Sequence, residues 1–324
     1  MRYYSVSVFL IFAFDMMKSL FSPLLLFITF FSIIISCTSK NEKAAPAMMP
    51  QAPSPMQEHI REHTRITDTT FTGEKIILED VLSKPVTVYK PSGFNPTFGF
   101  DILIHFHGAA FVPIYAIDQL NKPIILAVVN QGSGSSAYGK PFLDTQTFDV
   151  LLEQILQNVV DESNTTNLKK VYLSSFSAGY GAVRELLKTH FDRIDGLVIL
   201  DGMHTDYIPE STPLASGGEL NNEKLQGFLR FAKQAVNGDK KMLVTHSEIF
   251  PGTYASTTET SEYLINELGL TRKAVLEWGP VGMQQVSQTA AGQFQVKGFV
   301  GNTAPDHIDH LHGMEAFLGF LWEE

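Results

Sequence analysis

Ser177 stands in Val171-Tyr172-Leu173-Ser174-Ser175-Phe176-Ser177-Ala178-Gly179-Tyr180-Gly181, where an apolar, β-type run passes straight into a helical pattern. A small residue lies two positions before it, Ser175, and another two after, Gly179. A serine on so tight a strand-to-helix turn takes a strained backbone conformation, and bulky side chains at the flanking positions would clash. Its hydroxyl is then presented as a nucleophile, which needs a base to take its proton. The tract Asn302–His312 supplies three histidines. His307 stands at the mouth of the last helical pattern, His310 shares a helical face with Met314 and Phe317, and His312 falls on another face. His307 is the first choice as base and His310 the second. An acid that fixes the imidazole tautomer would complete the set. Asp201 ends the run Gly196–Leu200, and Glu248 follows the run Met242–Thr245; both are candidates.

These residues need a scaffold, and the rest of the chain reads as alternating strands and helices. Strands are expected at Val86–Tyr89, Asp101–Phe106, Pro123–Val129, Lys170–Leu173, Leu197–Leu200, Met242–Thr245 and Phe294–Val300. Helical spacing marks Phe148–Val160, where Phe148, Leu151, Leu152, Ile155, Leu156 and Val159 share one face. Further helices are expected at Gly179–Thr189, Glu223–Val236, Thr258–Leu268 and Leu311–Trp322. Alternation of this kind predicts an α/β fold, a mostly parallel central sheet with helices on both faces. The stretch from Gly202 to Leu220, rich in Ser, Gly and Pro, has the length of a small lid.

Ser175-x-Ser177-x-Gly179 between strand and helix resembles the nucleophile elbow of the α/β-hydrolase superfamily, with Ser175 where the family usually has glycine. Leu103-Ile104-His105-Phe106-His107-Gly108-Ala109-Ala110 is similar to the family's His-Gly segment. The family's order of serine, acid and histidine implies a base from the tract Asn302–His312 and Asp201 as the preferred acid, with Glu248 as the alternative. The resemblance spans roughly residues 70 to 324. It implies an α/β-hydrolase fold, a Ser-His-Asp triad, and an oxyanion hole made by the backbone N–H groups of Ala109 and Ala178. It implies serine-dependent hydrolysis of a carboxylic ester, small or polymeric, with no cofactor. A serine peptidase or amidase is the alternative within the class, and a hydrolase-fold lipoprotein that binds without turnover the alternative outside it. His105 and His107 at i, i+2 lack a clear third metal ligand. His307, His310 and His312 do not share one helical face, so no metal site is expected.

Residues 1–36 are strongly apolar, and Leu20–Ile35 follows Met16-Met17-Lys18 as an h-region follows a basic n-region. The run ends Ile34-Ile35-Ser36-Cys37, which resembles the bacterial lipobox, and Cys37 is the one cysteine of the chain. That resemblance implies lipidation of Cys37, a membrane attachment through lipid, and an extracytoplasmic location in the cell envelope. Residues 37–66, rich in Ala, Pro, Met and Gln up to about residue 58, read as a flexible tether to a catalytic domain at 67–324. A single cysteine excludes an intrachain disulfide and any CxxC motif. The net charge of -10 argues against nucleic acid as a partner, because phosphate recognition calls for a basic patch. A hydrophobic content of 44% with 18% charged residues is enough for a sizeable core.

Overall fold

The apolar runs found along the chain assemble as neighbours in one ten-stranded sheet among the described residues. The computed structural model describes residues 61–323. The leader, Cys37 and the tether up to residue 60 lie outside the described residues. In chain order the elements are β1 (Glu74–Leu78), β2 (Val86–Lys90), β3 (Phe100–Phe106), α1 (Phe111–Leu120), β4 (Ile124–Val129), α2 (Ser135–Gly139) and α3 (Gln146–Val159). Then come β5 (Leu168–Phe176), α4 (Tyr180–Thr189), β6 (Gly196–Leu200), β7 (Tyr207–Ile208), β8 (Glu219–Leu220), α5 (Gln226–Asn237) and β9 (Lys241–His246). The chain continues with α6 (Thr257–Glu267), β10 (Lys273–Trp278), β11 (Gln284–Ala291), β12 (Phe294–Phe299), α7 (Ala304–His312) and α8 (Met314–Gly319).

The main sheet runs β1-β2-β4-β3-β5-β6-β9-β12-β11-β10. Its centre, from β4 through β3, β5, β6 and β9 to β12, is parallel throughout. Antiparallel pairs close both sides, β1 and β2 on one and β11 and β10 on the other. β4 and β6 are buried along their whole length, as strands covered on both faces must be. The pleat divides them between two cores. Leu197 and Ile199 face the cluster built by α3, α4 and α5, while Val198 and Leu200 face the one built by α1, α7 and α8. This mostly parallel sheet, layered between helices, is an α/β-hydrolase fold.

Three expectations are revised by the structure. The last helix does not begin at Leu311. It begins at Ala304, because Thr303 caps it: Thr303 Oγ1 accepts from the Asp306 N–H, and the Asp306 carboxylate accepts from the Thr303 N–H, with Pro305 in the first turn. The helical stretch then breaks at Gly313, where a β-carbon would come within 2.9 Å of Pro280 Cγ. Second, the β10–β11 hairpin lengthens the sheet beyond the strands expected, with a bulge between Ala274 and Glu277 and with Leu276 and Trp278 exposed on β10. Third, the segment placed at the end of the tether is not free. Arg61, Arg65 and Ile66 hydrogen-bond to α7. The Gly202–Leu220 stretch carries a two-stranded ribbon, β7–β8, tied to α6 by Tyr207 Oη donating to Glu259 at 2.8 Å.

Candidate active site

β5, β6, β9 and β12 are adjacent and parallel, so the residues that follow them emerge together at one edge of the sheet. In open α/β sheets, ligands bind at these carboxyl ends. Ser177 follows β5, Asp201 follows β6, Ser247 follows β9, and His307 comes after β12 on α7.

Ser177 has φ 47°, in the left-handed region that a residue with a side chain enters only when its surroundings force it. Two glycines supply the force. A β-carbon on Gly179 would lie 2.1 Å from the Phe106 carbonyl oxygen, so the start of α4 is pressed onto the end of β3. Gly202 is pressed against the Ser177 backbone in the same way. Ser175 is fully buried, and its Oγ has no hydrogen-bond partner among the described residues. A methylene therefore fits at this position, at the cost of a desolvated hydroxyl.

Asp201 is buried and also has positive φ, 42°. Ser247 donates to both of its oxygens, from the backbone N at 3.0 Å and from Oγ at 2.6 Å. His307 Nδ1 lies 2.7 Å from Asp201 Oδ2. Burial alone would raise the Asp201 pKa. The His310 and His307 imidazoles and the Ser247 donors outweigh it, holding the carboxyl well below its usual range. An ionised carboxylate only accepts, so the proton of this bond sits on His307 Nδ1 and Nε2 is the open nitrogen of the ring. The His307 ring packs on Phe176, the residue before Ser177, with centroids 4.5 Å apart. His107 stacks on Phe176 at 5.9 Å, and its Nδ1 is 2.6 Å from Tyr138 Oη. Ser177 Oγ itself makes no hydrogen bond among the described residues.

Of the competing candidates, His307 hydrogen-bonds Asp201, whereas His310 lies near that carboxylate without bonding it and Glu248 bonds neither histidine among the described residues. His310 is buried in the core between Phe299 and Phe317, with Nδ1 2.8 Å from Thr245 Oγ1. Glu248 is exposed, and its Oε2 accepts from the Gly301 N–H at 3.2 Å. His312 Nδ1 accepts from the Ile66 N–H. Ala109 is exposed just before α1, and its amide donates no backbone hydrogen bond among the described residues. The Ala178 amide belongs to the first turn after Ser177, where N–H groups have no partner within the helix. Both ring nitrogens of His105 are engaged, by Ser174 Oγ and by the His107 carbonyl, each at 2.8 Å.

Sequence reasoning missed Ser247. It stands next to Glu248, at the turn after β9, where its donors complete the hydrogen bonding of Asp201. It also missed His204, which follows Asp201 by three residues and packs edge-on to Tyr180 and Tyr254, with Nδ1 2.9 Å from the Ala255 carbonyl. The ligand atoms of His63, Asp306 and Asp309 lie within 4.8 Å of one another. Arg61 and Arg65 already neutralise those carboxylates, which leaves no anionic cage for a metal ion.

No protein-family model matches the chain, and no curated protein matches it. Solved structures do. A ferulic acid esterase superposes with a TM-score of 0.46 at 12% identity, over 78% of this chain and 100% of that one. An S-formylglutathione hydrolase from Agrobacterium tumefaciens gives 0.44 at 12%, over 81% and 98%. A thermostable esterase gives 0.43 at 12% over 76% of this chain, which spans 60% of that protein's length.

Proposed function

We propose that this protein is a serine hydrolase acting on carboxylic esters, with Ser177 as nucleophile, His307 as base and Asp201 as the acid. The observation that carries the reading is the pairing of a left-handed Ser177 at a strand-to-helix turn with an imidazole that is packed on Phe176 and bonded through Nδ1 to buried Asp201. Nε2 of His307 takes the Ser177 proton as Oγ attacks the ester carbonyl. The amides of Ala109 and Ala178 hold the oxyanion, each such donor contributing about 3–4 kcal/mol to barrier lowering. His307 then returns its proton to the leaving alcohol, and water repeats the sequence on the acyl-enzyme. A serine–histidine contact that is open in the free enzyme closes when substrate binds.

The same proposal includes a lipid on Cys37 and an extracytoplasmic site of action, on the strength of the leader sequence. Fatty-acid labelling that persists in Cys37→Ala would sink that part alone. The catalytic part is tested with a fluorophosphonate probe and p-nitrophenyl butyrate, with and without chelator. Wild type should label and turn over with chelator present, and Ser177→Ala should do neither. Equal labelling of both proteins would remove Ser177 as nucleophile, and activity abolished by chelator would replace the mechanism with a metal-dependent one.

A further inference from the structure

We propose that Arg61–Ile66 is a positioning strap for the catalytic histidine, so that the segment joining the domain to its N-terminal extension sets the geometry of the active site. The inference rests on the reading of His307 as base.

The strap grips α7 along its whole length. At the first turn, Arg61 Nη2 donates to Asp306 Oδ1 at 2.7 Å and Arg65 Nη2 to the Pro305 carbonyl at 2.9 Å. At the middle, Asp309 takes three partners: Arg61 and His63 on Oδ2, the latter at 2.8 Å, and Arg65 on Oδ1. At the last turn, the Ile66 N–H donates to His312 Nδ1 at 3.0 Å. His307 lies between these holds, one residue after Asp306, and turns toward Asp201. Local sequence explains the arrangement. Arg61, His63 and Arg65 alternate with exposed Glu62 and Thr64, so three basic side chains turn to one side and converge on one acid.

Asp309 makes the coupling strong, because its side chain is wholly buried. A buried carboxylate is tolerated only while it is paired, and taking away its partners leaves an uncompensated charge. An unpaired buried carboxylate is relieved by taking up a proton or by moving toward water, and the second route shifts α7. Such a shift carries His307 with it. A misplacement of about 1 Å at a catalytic group lowers rate by around 100-fold. The strap therefore acts on the reaction through His307 and touches no substrate.

The test uses the full-length chain and p-nitrophenyl butyrate. The double variant Arg61→Gln/Arg65→Gln should lower kcat by at least about 10-fold with KM changed by less than about 3-fold. Its rate of fluorophosphonate labelling should fall in parallel, since both report activation of Ser177 by His307. Arg61→Lys/Arg65→Lys keeps the charge and should restore most of kcat. Circular dichroism at the assay temperature establishes that each variant is folded. Should the double variant be unfolded, the single variants Arg61→Gln and Arg65→Gln, each leaving two partners on Asp309, decide the matter by the same kcat and labelling criteria. A folded double variant with unchanged kcat and labelling overturns the strap, as does a loss confined to KM. If the wild type neither labels nor hydrolyses, the hydrolase reading itself fails, which is a separate result.

Discussion

The backbone of Ser177 occupies the space that a side chain on Gly202 would need: a β-carbon there would lie 2.3 Å from the Ser177 carbonyl oxygen, 2.6 Å from its nitrogen and 2.7 Å from its Cα. The turn after β6 thus holds the turn after β5 in place, and the residue before this glycine is Asp201. One close contact fixes Ser177 and Asp201, the proposed nucleophile and acid, relative to each other. Gly202→Ala should lower kcat/KM on p-nitrophenyl butyrate by about 100-fold, the scale of a 1 Å displacement. The fold should persist with a reduced melting temperature. Full activity in the alanine variant would mean that the contact does not set the site.

Asp201→Asn keeps the shape of the acid and removes its charge. Loss of the correct imidazole tautomer should lower kcat by up to about 10⁴-fold with little change in folding. Glu248→Gln should leave hydrolysis nearly intact, since its carboxylate is exposed and bonds the Gly301 amide. The reverse ranking, measured as kcat on folded protein, would exchange the two roles.

His307→Ala should abolish turnover as fully as Ser177→Ala, and the double variant should be no slower than either, because the pair acts as a unit. Replacing His310 should act on stability instead. Its ring is buried against Phe299 and Phe317, so His310→Ala leaves a cavity that costs about 2–5 kcal/mol, as for other large buried side chains. Denaturant titration should register that loss while the folded fraction keeps its kcat. Inactive, fully stable His310→Ala would contradict the assignment.

Stability should fall as pH drops from about 6.5 to 4, the interval between ordinary and buried histidine. Burial lowers His105 to about 3 and His246 to about 4. In the unfolded chain both take up protons near pH 6.5, whereas the folded protein does not, so the unfolded state binds more protons throughout that window and gains from acid. Asp201, held below its usual range, keeps its contribution above about pH 4 and loses it only below. Urea midpoints at pH 7.5, 6 and 5 should decline in that order, and a flat series would show that these imidazoles are not kept neutral by the fold.

Much of the frame was legible because its signals are local. The runs that became β3, β4, β6 and β9 are apolar enough to declare themselves, and Ser177 with Ser175 and Gly179 marks its own turn. Where the sequence misled, the cause was tertiary or was a cap left unread. Gln284–Ala291 is mostly polar and lacks strict alternation, so pairing with β12 and β10 makes it a strand. The start of α7 is encoded in Thr303, Pro305 and Asp306, a capping box that lies outside the apolar periodicity marking the rest of the helix. Arg61, His63 and Arg65 look like a solvated basic stretch until Asp309 is brought to them from the far end of the domain.

The bulge in β10 bears on how the molecule behaves in a crowd. The outermost strand of a sheet offers unpaired amides and carbonyls to any passing strand, and here it also displays Leu276 and Trp278. Between Ala274 and Glu277 the residues fall out of step with β11, so the outer row of groups is out of step with a straight incoming strand as well. Lys273 adds a charge that another sheet would have to desolvate. The apolar rim can therefore stay wet without serving as a template for polymerisation, a protection built into backbone register more than into side-chain polarity.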